Sequence, residues 1–274
     1  MGPRLAERYT VIAPDNRAAD GEDLLAILDF LNISSTNILA HEKGVGLAAS
    51  LAVEHPERVN KAVIAEYPLP GFGYDTAVIS PNPYDNWELA FFAVPDVAQY
   101  FVQGRERQML EWYFWHGSYS GGDVISNDLL EIYTRAISKP GFLRAMFQYF
   151  AAAFEDSEYF TAKINATGKL SMPVLALGGE ASFAPEALLQ TALSPVASDL
   201  QVDVVPKAGH WIPDENPQWF AQRAMQFFGN DSSLSALDLS ALDNATTVFG
   251  VFYTGLVTAG TNTTPSIRTW RRLG

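Results

Sequence analysis

The sequence predicts an α/β fold: a mostly parallel sheet covered by helices on both faces, interrupted by a long helical insertion. Three observations carry that prediction. Short β-prone runs alternate with segments of helical period through residues 9–65. The alternation stops near residue 75, where aromatic side chains crowd a stretch of helical periodicity reaching residue 168. Beyond residue 168 the alternation resumes. Short strand–helix–strand connections join parallel strands, and parallel strands are packed on both faces.

The elements follow in order. Residues 9–13, Tyr-Thr-Val-Ile-Ala, form a β-prone run closed by the turn residues Pro14-Asp15-Asn16. Residues 22–31 repeat Leu24, Leu25, Leu28 and Leu31 at helical spacing. A second strand is expected over 36–40, then a helix rich in small residues over 44–54. His55-Pro56 ends that helix, because the residue before proline is pushed out of the helical region. A third strand covers 61–65. Within the insertion, helices are expected over 96–114, 127–137 and 141–154. Strands return at 174–178 and 202–205, and 217–228 is an amphipathic helix. The final residues, 230–274, are rich in Ser, Thr, Asn and Ala and contain a β-prone run over 246–253. The expected organisation is a core of residues 1–74 and 169–229, a helical cap of 75–168, and a tail of 230–274.

Composition sets outer limits. With 274 residues, 48% hydrophobic and 18% charged, the chain has ample apolar content for a large core. Its formal net charge of -13 argues against a nucleic-acid partner, since phosphate affinity comes from Lys and Arg. No cysteine is present, which excludes disulfides and thiolate metal sites and makes a reducing, cytoplasmic setting the expectation. The N-terminus lacks the apolar run of a signal peptide, and no segment reaches the ~18 apolar residues of a membrane span. A soluble protein with no membrane partner is expected.

Chemistry concentrates at Ala40-His41-Glu42-Lys43-Gly44-Val45, between a predicted strand and a predicted helix. His41-Glu42 begins an H-E-x-x-H pattern, but Val45 occupies the place of the second imidazole, so no metal is expected there. Ala40 and Gly44, small residues two before and two after Glu42, fit a sharp turn presenting Glu42 as a nucleophile. An ordinary acidic residue in a helix's first turn fits the same spacing. Residues 117–121, Gly-Ser-Tyr-Ser-Gly, imitate a serine-hydrolase turn, yet Tyr119 is central and no strand precedes it. Most aromatics of the insertion are expected in its core, with Trp87, Tyr149 and Trp211 facing a pocket between cap and core.

Residues 40–44 followed by His55-Pro56-Glu57-Arg58-Val59 resemble the G-H-D-x-G…HPERV signature of the α/β-hydrolase superfamily, in its epoxide hydrolase and haloalkane dehalogenase branch. Residues 9–15, Pro68-Leu69-Pro70-Gly71, 172–180 and 209–215 resemble further stretches of that branch, in order and spacing. The likeness spans residues 4 to about 228. It implies an α/β-hydrolase fold with a helical cap, no cofactor, and hydrolysis of an apolar, electrophilic small molecule. The elbow carboxylate, here Glu42, would form an alkyl-enzyme ester, and His210 would activate water against it. Glu66, at the end of the third strand, would orient His210, with Glu180 as the alternative acid.

The departures from the family pattern are specific. Glu42 stands where the family has aspartate, and Tyr149 fits one of two cap tyrosines while Phe91 occupies the other place. Glu88 follows Trp87 where fluoroacetate-type dehalogenases have histidine, and Lys43 stands near the elbow where they bind halide and carboxylate with arginines. The family's first three strands and its His-Gly oxyanion loop have no counterpart, so an N-terminally incomplete fold is expected, or one whose gap is partly filled by residues 248–253. These losses also admit a non-catalytic protein that keeps only a ligand pocket.

Overall fold

The structure is a computed structural model that describes residues 1–14, 21–75, 83–119 and 125–229. Its sheet has four parallel strands in sequential order: β1 (Thr36–His41), β2 (Val59–Ala65), β3 (Val174–Gly179) and β4 (Leu200–Val205). Parallel pairing requires each chain reversal to cross over the sheet, and helices occupy the connections. After the short α1 (Gly2–Leu5) comes α2 (Gly21–Phe30), and α3 (Gly44–Glu54) links β1 to β2. Between β2 and β3 lie the helices α4 (Pro83–Phe92), α5 (Pro95–Val102), α6 (Glu106–His116), α7 (Asn127–Ile137), α8 (Phe142–Ala151) and α9 (Ala153–Thr167), followed by an isolated bridge from Leu170 to Ala197. The chain closes through α10 (Glu186–Leu193), the single turn α11 (Ile212–Glu215) and α12 (Pro217–Phe228).

Alternation along the strands builds two cores. Ala62, Ile64, Val174 and Ala176 face α3, α9 and α10, whose Leu51, Phe160 and Leu189 complete one cluster. Val63, Ala65, Leu175 and Leu177 face the other way, against Phe220, Ala224 and Phe228 of α12. Both faces are therefore dry, as parallel strands require. The helical segment has a third cluster of its own, centred on Phe92, Leu110, Leu143, Phe147 and Phe150. Phe147 has no exposed surface, and its ring stacks 5.1 Å from that of Phe92.

Several boundaries differ from the sequence expectation. The run predicted over 96–114 is two helices, because Gly104 adopts φ 81° between α5 and α6. The helix expected over 141–154 ends at Ala151, and α9 runs on to Thr167. The residues 9–13, read as a strand, form no strand. Val11 and Ile12 are exposed, and Tyr9 instead donates its hydroxyl to the Gly229 carbonyl (2.7 Å) and meets Phe228 edge-on. β propensity yields a strand only where a neighbouring backbone supplies hydrogen bonds, and β1 pairs only with β2 among the described residues. The β-prone run 246–253 lies outside the described residues. Among the described residues, no helix is long and apolar enough to cross a membrane.

Candidate active site

The C-terminal ends of the strands converge on one site. β1 and β2 pair with His41 opposite Ala65, so the next residues, Glu42 and Glu66, leave the sheet side by side. The ladder continues one step into each: Glu42 N–H donates to the Ala65 carbonyl (3.0 Å) and Glu66 N–H to that of Leu177 (2.9 Å). Both then turn sharply, with φ 50° at Glu42 and φ 58° at Glu66. Left-handed backbone at a residue with a long side chain costs about 1–2 kcal/mol, the kind of strain functional turns hold. Glu42 also accepts a short hydrogen bond from the Lys43 N–H at the entrance to α3. The smallness of Gly44 has no steric cause among the described residues, since a Cβ there meets nothing within 4 Å.

Glu66 reaches His210. Its Oε2 lies 3.0 Å from His210 Nδ1, and its Oε1 accepts the Gly179 N–H at 2.6 Å. Burial pushes the Glu66 carboxyl up to about 7, opposed by the Gly179 N–H and the Ser182 hydroxyl. Burial likewise lowers the His210 pKa, opposed by the negative charges of Glu42 and Glu215. The imidazole is thus held in its neutral form, with Nδ1–H directed at Glu66. That leaves Nε2 as the lone-pair nitrogen, and it is buried without a hydrogen-bond partner.

The loop carrying His210 is fixed from several sides. His210 N–H donates to the Gly117 carbonyl (2.6 Å), and Glu215 accepts from the backbone N–H groups of Gly209 and Tyr119 (both 2.6 Å). His41 Nε2 lies 2.7 Å from the His210 carbonyl oxygen, and burial pushes the His41 imidazole down to about 4. Neutral His41 donates through Nε2 to that carbonyl. Gly179 lets the loop lie against β3, for a Cβ there would collide with the Gly209 carbonyl.

Glu42, Glu66 and His210 line one narrow cavity of about 40 Å³, together with Tyr67, Tyr74, Glu88, Tyr113 and Phe183. Lys43 stands behind its wall: Nζ donates to the hydroxyls of Tyr74 (2.7 Å) and Tyr67 (3.3 Å) and lies 4.5 Å from the Phe150 ring centroid. Burial pushes the Lys43 pKa down. The other predicted pocket residues do not line this cavity. Trp87 is 44% exposed and packs on Trp112 and Phe91. Trp211 packs edge-on against Phe114, His210 and Tyr113, with its Nε1 buried and unpartnered. The Tyr149 hydroxyl is buried and unpartnered as well. Glu180 is exposed and accepts the Lys207 N–H (2.9 Å), so Glu66 alone of the two candidate acids meets His210.

No protein-family model matches the chain. It is similar to a soluble epoxide hydrolase of Corynebacterium sp. (strain C12), 27% identical over 82% of this chain and 83% of that protein. Among solved structures it is similar to the epoxide hydrolase CorEH without ligand: TM-score 0.71, 26% identity, covering 82% of this chain and 84% of that one. The chain has the α/β-hydrolase fold. A third likeness is to Cfl2 from Burkholderia cenocepacia, with TM-score 0.69, 28% identity, and coverage of 76% and 70%. Within this fold the sequence brought Glu42, Glu66 and His210 forward as a group. It passed over Tyr67, Tyr74, Tyr113 and Glu88 as wall residues. The available signal for Glu88 was a single charge inside the apolar run 87–92, Trp-Glu-Leu-Ala-Phe-Phe.

Proposed function

We propose that the protein is a hydrolase of the epoxide hydrolase-like kind, acting on an apolar small molecule through a carboxylate nucleophile and a histidine-activated water. The observation that carries this reading is the arrangement of His210. Its Nδ1 is bonded to Glu66, and its free Nε2 lies buried beside the cavity that Glu42 lines.

The steps follow from the groups present. Glu42 attacks an electrophilic carbon and becomes its ester. A water on Nε2 loses a proton to His210 while its oxygen adds to the ester carbonyl carbon. Glu66 keeps the imidazole in the Nδ1–H tautomer and stabilises the cation that forms. The Lys43 N–H, already on a Glu42 oxygen, stabilises the negative charge that builds on that carbonyl oxygen. On collapse the added hydroxyl gives its remaining proton to the leaving oxygen, which frees the alcohol and returns Glu42 as a carboxylate. In this reading residues 75–168 act as a cap over a core of 1–74 and 169–229, shielding the ester from bulk water.

Intact-mass spectrometry of a His210→Ala variant incubated with styrene oxide or 1,2-epoxyhexane tests the proposal. A stable adduct mapping to Glu42 is expected, absent in His210→Ala/Glu42→Gln. An unmodified protein with both epoxides refutes it.

A further inference from the structure

Among the described residues that line the cavity, Glu88 has a buried polar atom without a partner that the steps above leave unused. It follows Asn86, where α4 departs from helical geometry (φ -144°, ψ 34°), and it is only 1% exposed. Its Oε2 is buried with no hydrogen-bond partner, and it lines the same cavity as Glu42 and His210. A buried carboxyl oxygen without a partner is costly in an empty site and becomes favourable when a ligand supplies the missing hydrogen bond.

We propose that Glu88 is the proton donor to the substrate's leaving oxygen, and that the substrate is therefore an epoxide and not an alkyl halide. This rests on the reaction proposed above. When Glu42 opens the ring, the carbon–oxygen bond breaks and its electron pair stays on oxygen. The Glu88 carboxyl proton moves to that oxygen, giving a hydroxyl and leaving Glu88 as carboxylate. In the second half the proton that His210 took from water returns to Glu88, so epoxide plus water give diol and both residues regain their starting states. A departing halide is already a stable anion and takes no proton. A developing alkoxide takes the proton of a carboxylic acid outright, so the assistance Glu88 gives is specific to an oxygen leaving group. Burial supports the assignment, since it pushes the Glu88 carboxyl up to about 7.

The test measures the rate of ester formation on Glu42 by intact mass, in the His210→Ala background, with styrene oxide and with 2-bromoethylbenzene. Glu88→Gln keeps the shape of the side chain and removes the transferable proton. Its epoxide rate is expected to fall about 100-fold or more, the usual weight of a positioned acid, and the ratio of epoxide to halide rate is expected to fall with it. Glu88→Asp, which keeps an acidic proton, is expected to recover at least a tenth of the epoxide rate. An unchanged epoxide rate in Glu88→Gln overturns the proposal. So does an equal loss with epoxide and halide, or an equal loss in Gln and Asp, either of which marks a structural role. If the His210→Ala parent itself forms no ester with epoxides, the reaction proposed above fails first. If the parent reacts and Glu88→Gln reacts as fast, only the role of Glu88 fails.

Discussion

Replacing Glu88 by Gln changes the pH dependence of stability, and the size of the change follows from its burial. The carboxyl rises from an ordinary 4.5 to about 7 in the folded protein, because ionising it places a charge in a buried wall. As pH rises, the unfolded chain loses this proton first and the folded chain resists. The contribution of Glu88 is therefore fully present below pH 4.5 and is lost as pH climbs through about 7. Integrated from pH 5 to pH 8, with each pKa unit worth about 1.4 kcal/mol, the loss comes to roughly 2.5 kcal/mol. Glutamine does not titrate, and the fixed cost of burying its amide is the same at every pH. The other ionisable side chains that line the cavity are common to both proteins and largely cancel. Urea titrations at pH 5, 6, 7 and 8 should show Glu88→Gln gaining about 2.5 kcal/mol on the native protein across that range. Two stability curves parallel to within about 0.5 kcal/mol would refute the account of Glu88 as a carboxyl held neutral by burial.

Other expectations follow from the same geometry. Glu42→Gly removes the left-handed strain at φ 50° and should raise stability by about 1 kcal/mol in urea titrations while abolishing ester formation. Glu66→Gln should slow hydrolysis of the Glu42 ester by about 100-fold or more in single-turnover mass spectrometry, whereas Glu180→Gln, at an exposed residue bonded to the Lys207 N–H and not to His210, should leave the rate within about twofold. Phe147→Ala empties a fully buried position in the helical segment and should cost about 3–5 kcal/mol, read as a lowered urea midpoint.

Much of the sheet was legible because parallel strands with two buried faces are written as apolar runs. Val63, Ile64 and Ala65, or Leu175, Ala176 and Leu177, have no polar alternation, and each triplet divides between the two cores. The same rule misled at residues 9–13. Their composition is as β-prone as that of 36–41, yet composition does not report whether a partner strand adjoins. The grouping of Glu42, Glu66 and His210 was legible through motif resemblance, since 144 positions separate Glu66 from His210 and only topology joins them. The wall was not. Trp87 and Glu88 are consecutive on one helix, and the aromatic was the one expected at the pocket, but the tryptophan is 44% exposed while the glutamate is enclosed. Which side of a kinked helix meets a cavity depends on packing between elements distant in the chain, and the kink at Asn86 breaks the periodicity on which such a reading relies.

The bond from His41 to the carbonyl of His210 has a mechanical consequence. His41 immediately precedes Glu42, so this contact ties the end of β1 to the loop that follows β4, two pieces of chain anchored at opposite edges of the sheet. The Glu42 turn and the His210 loop therefore ride on one frame, and in the proposed reaction that frame would hold the two partners at a fixed spacing.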